Sequence, residues 1–274
     1  MNEVTQQQIS ALLRELGIGP GDRLIVHSAV QFLGRPVGGA GIYLQALLSV
    51  LNGEPGANEQ LVQGALAVPT FNFGFARGEP YDPEVTPSEG MGVFSELVRR
   101  HPGARRSMHP MQSLAVLGPD AADITGRDTP SAFDPGSAFE RLLDLDFKLL
   151  LLGASVQAVS IIHYSEQRAR VPYRYWKEFT GQVKTPAGWQ QRTYRMFVRD
   201  LEINPQLDLR PVQQALQASG KWEMRPLNYG RVCTCRLRDF VDAADRLLEK
   251  DPWALVGSRS VPHTAHKESK AQLE

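Results

Sequence analysis

Two side chains three residues apart, His163 and Glu166, are the part of this sequence best suited to chemistry. On a helix that spacing puts an imidazole and a carboxylate on one face. One imidazole and one carboxylate then project together, and an imidazole is the side chain suited to accept a proton near neutral pH. A second reading stays open: a core imidazole and a helix-surface charge with no role in chemistry, since catalytic groups are the minority of such residues. Cys233 and Cys235 are one residue apart, which on a strand aims both at one face and fits neither zinc-site nor redox-pair spacing. They are expected to be reduced, in a cytoplasmic protein, and no metal site is expected.

The elements that must position the pair are legible around it. Leu149–Leu152 is an unbroken apolar run closed by Gly153, the pattern of a strand covered on both faces of an α/β sheet. Strand ends of this kind are where such proteins place ligands. Ser160 to Arg170 reads as the helix that carries His163, with Ser160 able to cap it. A second strand, Arg23 to Ser28, ends in the polar pair His27-Ser28 and runs through Ala29 and Val30 into a glycine-bearing loop, Phe32 to Gly41, and a helix from Ile42 to Leu51. Gly38 and Gly39 let the backbone approach a ligand, and a helix start offers free N–H groups to an anion. A loop that only turns a corner fits equally well, and the pattern is neither the dinucleotide fingerprint nor a P-loop.

Elsewhere Thr5 to Leu16 has helical spacing, with Thr5 as cap and Gly17 as stop. Leu61 to Thr70 reads as a strand, followed by an aromatic loop through Phe71, Phe73, Phe75 and Tyr81. Met91 to Arg100 is amphipathic and ends in a basic cluster that leads to Arg106-Ser107-Met108-His109 and a strand, Ser113 to Leu117. Ala138 to Leu143 is a helix. Phe179 to Val183 and Arg192 to Val198 alternate around a Pro-Ala-Gly turn as a hairpin, with Asp200 just past it. Helical periodicity returns at 206–218 and 237–249, with a strand at 231–236 between them.

With 274 residues, 42% hydrophobic and 22% charged, the chain has material for a substantial core. Thirty basic and thirty acidic side chains cancel, so no global field favours nucleic acid or an anionic membrane. No apolar run reaches the length of a membrane span, and the first residues lack the features of a signal peptide. A single domain over 1–257 and a frayed polar tail over 258–274 are expected.

Several ordered motifs, VHSAVQFLGRPVGGAG, PTFNF, the run from MGVFSELVRR to LGPDA, GSAFERLLDLDFKLLLLGA and SIIHYSEQRARVPY, resemble the aminoglycoside 3-N-acetyltransferase family over roughly residues 5–250. The resemblance implies an α/β layered sandwich with a central mixed sheet flanked by helices. That fold is particular to the family, unlike the larger acetyltransferase superfamily whose pyrophosphate loop is absent here. It implies acetyl-CoA as co-substrate, a small-molecule amine as acceptor, His163 as general base, and Asp200 as its orienting carboxylate, with Glu166 as a further one. The segments expected around CoA are His27, Ser28, Ala29, Val30, Gly38 and Gly39 together with Arg106, Ser107, Met108 and His109. A homodimer is compatible with all of this.

Where family members usually present acidic groups, this chain has the neutral stretch Gln157 to Ser160 and Val198, with Arg168, Arg170, Arg195 and Arg199 nearby in sequence. That predicts a neutral-to-basic acceptor pocket, unless Asp82, Glu84 or Glu89 supplies the missing acidity. The competing functions are hydrolysis, with His163 activating Ser160 or water, although no G-x-S-x-G elbow is present, and non-catalytic CoA binding.

Overall fold

The computed structural model describes residues 2–53 and 63–258. Elements β1 (Glu3–Val4), α1 (Gln6–Glu15), β2 (Arg23–Ser28), β3 (Arg35–Pro36), α2 (Gly41–Asn52) and β4 (Ala65–Pro69) make the first part. Then come α3 (Gly92–Arg99), β5 (Arg105–Arg106), β6 (Leu114–Leu117), α4 (Ala121–Thr125), α5 (Ala138–Asp144), β7 (Lys148–Leu152) and α6 (Ile162–Ala169). The last part is β8 (Arg174–Thr185), β9 (Gly188–Arg199), β10 (Gln206–Leu207), α7 (Arg210–Ala218), β11 (Glu223–Leu227), β12 (Gly230–Arg236), α8 (Leu237–Lys250) and β13 (Val256–Ser258).

Seven strands form one mixed sheet in the order β11-β12-β7-β2-β4-β6-β5. The three central strands β7, β2 and β4 run parallel, and the pairings outside them are antiparallel. β7 shows why an all-leucine run belongs at the centre. Leu149 and Leu151 enter the core beneath α4 to α8, while Leu150 and Leu152 enter the opposite core against α1, α2 and α3. The three layers are thus helices, sheet, helices, as expected.

The order of strands also fixes where a ligand can enter. The chain leaves β2, crosses one face through α2 and returns as β4 on one side of β2; later α5, on the other face, delivers β7 to the opposite side. Between β2 and β7 the connections diverge, which opens a crevice at the carboxyl ends of those strands. The backbones come close there: Ala29 N–H donates to Leu152 O at 2.9 Å. A Cβ on Gly153, where φ is +76°, would lie 2.6 Å from Ala29 O, so only glycine fits.

β8 and β9 stand apart as a two-stranded ribbon. It is twelve residues a side, longer than the sequence pattern indicates, because β8 continues past its alternating part mainly to the base of the ribbon and β9 mainly to its tip. It docks through a small cluster of Phe75, Tyr81, Met111, Val183 and Tyr194. Gly181 lets the Phe75 ring press on the ribbon: a Cβ there would sit 2.8 Å from it.

Three local expectations change. The helix bearing His163 starts at Ile162 after an Ile161 cap without a side-chain bond, because the Ser160 hydroxyl is drawn to His27. Gln206–Leu207 is a short strand, with helix only from Arg210. Ser258 is the last residue of β13, and 259–274, the expected tail, lie outside the described residues, as do 61 and 62 of the expected strand. No described helix is long and apolar enough to cross a membrane.

Candidate active site

His163 and Glu166 meet as their spacing requires. His163 Nδ1 lies 2.5 Å from Glu166 Oε2. The carboxylate is fully buried, whereas the imidazole side chain is 28% exposed, so the ring is the part a ligand can touch. Burial pushes the Glu166 carboxyl up, but the hydrogen bond from His163 and the charges of His163 and Arg174 outweigh it and hold the group below the ordinary carboxylate range. An ionised Glu166 is an acceptor only, which places a proton on Nδ1, so that in the neutral ring the lone pair is on Nε2. The ring edge packs against Phe133, with centroids 5.9 Å apart.

A third member of this constellation was not evident from the sequence. Arg174 Nε lies 2.9 Å from the same Oε2, with its side chain 10% exposed, and its Nη1 donates to Phe197 O at 3.2 Å. One arginine thus joins the buried carboxylate to both strands of the ribbon. Its signal was weak: an arginine directly after Val171-Pro172-Tyr173 reads as a turn residue until the ribbon is seen to begin there.

Asp200 sits elsewhere. Its carboxylate accepts from Glu202 N–H at 2.9 Å, and its own N–H donates to Tyr173 O at 2.9 Å. The carboxylate that touches the imidazole is Glu166; Asp200 closes the base of the ribbon.

The expected cofactor segments both lie at the carboxyl edge of the central strands but differ in character. Ser28 faces Leu152 and bridges Gly153 beside the crevice, and Val30 opens a single tight turn. Gly38 and Gly39 have φ of +96° and +88° ahead of α2, and a Cβ on Gly39 would meet nothing within 4 Å. Both are glycines for the turn, with open space beside Gly39 and the Ile42 side chain beside Gly38. His27 is buried and turned inward, its Nε2 2.8 Å from Ser160 Oγ and 3.1 Å from Ser160 N. Burial lowers its pKa to about 4, so the ring is neutral.

The segment 106–109 departs from the expectation of a phosphate contact. Arg106 Nε donates to Thr70 Oγ1 and Ser113 Oγ at 3.1 and 3.0 Å, its Nη atoms donate to the carbonyls of Thr86 and Thr70, and its guanidinium lies over the Tyr81 ring at 5.1 Å. It clamps the 70–86 loop onto the sheet edge. Ser107 Oγ accepts from Leu114 N–H at 2.9 Å, and His109 Nδ1 accepts from Gln112 N–H at 3.2 Å. His109 is buried against Tyr194 and its pKa is pushed down to about 4, chiefly by burial. Met108 packs beside the cluster beneath the ribbon.

Beside the pair, between α6 and the ribbon, lies a cleft of about 590 Å³ that shares its Phe133 wall with His163 and is lined further by Tyr164, Gln167 and Trp176. Arg168, Arg170 and Arg195 enter this same cleft. A second cleft, of about 960 Å³, opens toward the ribbon tip and contains Asp82 and Glu84. The two groups of charges predicted to compete for one pocket therefore occupy different ones. Glu89, for its part, pairs with Arg77 and accepts from Phe73 N–H.

The profile of the family described as aminoglycoside 3-N-acetyltransferase matches residues 25–249. The chain belongs to that family. Among curated members, aminoglycoside N(3)-acetyltransferase III from Salmonella sp is 32% identical over 184 residues, which is 63% of each chain. Aminoglycoside N(3)-acetyltransferase VII from Streptomyces paromomycinus is 30% identical over 207 residues, 71% of this chain and 70% of that one. The match to the first of these thus spans a little under two thirds of that relative's length. The fold is that of solved family members. AAC-IIIb in its binary complex with CoASH superimposes with a TM-score of 0.77 at 23% identity, over 91% of this chain and 97% of that one. A mutant of AAC(3)-IVa in complex with a gentamicin gives 0.75 at 25% identity, over 94% and 93%.

Proposed function

We propose that this protein is an acetyl-CoA-dependent N-acetyltransferase acting on an amine of an aminoglycoside, amino sugar or related small molecule, by direct transfer with His163 as general base. The observation that carries the reading is the 2.5 Å contact of His163 Nδ1 with the buried Glu166 carboxylate. It orients the ring so that in its neutral form Nε2 carries the lone pair, on a side chain 28% exposed beside the cleft. A protonated amine is no nucleophile, so a positioned acceptor for its proton contributes on the order of 100- to 10,000-fold.

Acetyl-CoA supplies the activated acyl group as a thioester. The crevice at Ser28 to Gly41 fits it, because Gly39 borders open space before the start of α2 and the N–H groups there can face phosphate. His163 Nε2 takes the proton of the attacking amine, and Glu166 holds the resulting imidazolium. As the C–N bond forms and the C–S bond breaks, the imidazolium returns its proton to the departing thiolate. Phe133 walls one side of the ring. In this reading Arg106 to His109 support the site from beneath, and Asp200 steadies the ribbon base. Bound CoASH in AAC-IIIb and gentamicin in AAC(3)-IVa support the choice of ligand classes.

One observation favours a second reading. Ser160 Oγ lies 2.8 Å from His27 Nε2, a serine–histidine pair that can form an acyl-enzyme. Against it, His27 Nδ1 is buried with no partner, so no carboxylate supports the ring, and a group titrating at about 4 is a weak base.

Thiol release from acetyl-CoA, with and without a panel of amines, separates these. Release that needs the amine and is lost in His163→Ala, with CoA affinity kept, supports direct transfer. Release without amine, abolished by Ser160→Ala, would replace it with the acyl-serine route.

A further inference from the structure

The cleft beside His163 carries a charge arrangement that points to a class of acceptor. Three arginines line it, and its one lining carboxylate is already engaged: Glu140 accepts from Tyr164 OH at 3.0 Å and from Gly136 N–H at 2.6 Å. Behind it, both oxygens of Asp134 accept from Arg195 at 3.1 Å, one from Gln167 Nε2 at 2.9 Å and the other from Ser131 N–H at 3.0 Å. Asp134 is taken up by Arg195, whereas Glu140 is held only by neutral donors, and against this one lining carboxylate the cleft sets three guanidiniums.

The cations differ. Arg195 stacks over Trp176 at 4.5 Å, which fixes its plane, and spends Nη2 on Asp134, so that Nη1 is the group left to meet a ligand. Arg168 lies over Tyr164 at 5.2 Å and uses Nη1 on Asp245 at 3.0 Å, leaving other N–H groups free. Arg170 is exposed at the left-handed end of α6, where φ is +48°, and among the described residues its side chain makes no hydrogen bond or ion pair. Flat guanidinium forks held on aromatic faces suit the oxygens of a phosphate or carboxylate.

We infer that this cleft binds an anionic group of the acceptor, so that the substrate is an amine bearing a phosphate or carboxylate and not a polycation. The inference rests on the N-acetyl transfer proposed above and names its substrate class. Geometry supports the pairing of functions. The anion sits among arginines on the Tyr164, Gln167 and Arg168 side of α6, while the amine meets His163 one position away on the same helix, across the shared Phe133 wall.

The test uses acceptors matched in their amine: glucosamine, glucosamine 6-phosphate, 2-amino-2-deoxygluconate and, as polycation, kanamycin. At least one anionic acceptor should exceed glucosamine in kcat/KM by on the order of tenfold, about what one charge-assisted hydrogen bond provides. Arg170→Ala should raise KM for that acceptor by a similar factor and erase its advantage. Kanamycin or glucosamine as the best substrate would overturn the anion site while leaving acetyl transfer standing. Calorimetric titration with glucosamine 6-phosphate covers the reverse case. Binding that weakens in Arg170→Ala, with no amine acetylated, would keep the anion site and refute the transfer reading. No binding and no preference would refute the site.

Discussion

Replacing Glu166 by glutamine removes one charge from the base and keeps the shape, and two effects can be worked out. In catalysis, the lost term is a charge-assisted hydrogen bond between Nδ1–H and Oε2 at 2.5 Å. Such bonds contribute about 1.5–3 kcal/mol. At 1.36 kcal/mol per tenfold, this is a fall in kcat on the order of 10- to 150-fold, with the CoA dissociation constant held. In stability, the effect is on Arg174, which sits 2.9 Å from Oε2 with its side chain 10% exposed. Breaking a buried pair by removing one partner costs about 3–5 kcal/mol. Glu166→Gln should therefore be unstable as well as slow. Arg174→Met added to it should restore part of the stability, since the stranded cation is gone, and the two changes should couple by about 0.5–3 kcal/mol. The pH dependence has a defined sign. The folded carboxyl titrates below its unfolded value, so its contribution is present above the ordinary carboxylate range and is lost as pH falls through the folded pKa; the glutamine variant lacks that loss. Urea unfolding and single-turnover acetyl transfer measure both quantities. A variant with kcat within threefold of the parent, or one whose instability Arg174→Met does not relieve, would refute this account of Glu166.

Acid should destabilise the protein through His27 and His109. Each is buried with its pKa lowered to about 4 from 6.5, so the unfolded chain binds the extra protons and stability falls as pH drops from about 6.5 to about 4, by up to about 3 kcal/mol for each ring. Equal urea midpoints at pH 7.5 and pH 5 would contradict this. Arg106→Met should lower stability by about 2–4 kcal/mol, because the carbonyls of Thr70 and Thr86 lose their donor; a larger effect on CoA affinity than on thermal unfolding would return Arg106 to the phosphate. Asp200→Asn should reduce acetyl transfer less than Glu166→Gln does, and a greater loss, read by the same thiol-release assay, would make Asp200 the orienting carboxylate after all.

What the sequence allowed to be read was whatever depends on neighbours along the chain. The doubly buried β7 follows from four consecutive leucines, and the His163–Glu166 contact follows from helical spacing. The same holds for Thr5, which caps α1 and is capped in turn by Gln8. What escaped depends on partners far along the chain. Ser160 has the right type and place for a helix cap, yet its hydroxyl bonds a histidine 133 residues away. Arg106 belongs to a basic run that suggests solvent or phosphate, and only the folded 70–86 loop supplies its acceptors. β11 escapes for a different reason: Glu-Met-Arg-Pro-Leu has no alternation, and as the outer strand of the sheet it tolerates Pro226 and exposed positions. The turn after it, Asn228-Tyr229 before Gly230, is the available signal, since Asn228 adopts a left-handed conformation suited to a tight hairpin.

The attachment of the ribbon at its base separates two kinds of inheritance. Arg174 binds the buried Glu166 carboxylate and Phe197 O, and the Asp200 N–H returns to Tyr173 O, so both strands are anchored where they leave the core. Between those anchors, positions such as Trp176, Lys177 and Glu178 are exposed and free to change. On the proposed mechanism, changes at these positions alter the surface that faces the acceptor while His163 stays where Glu166 holds it.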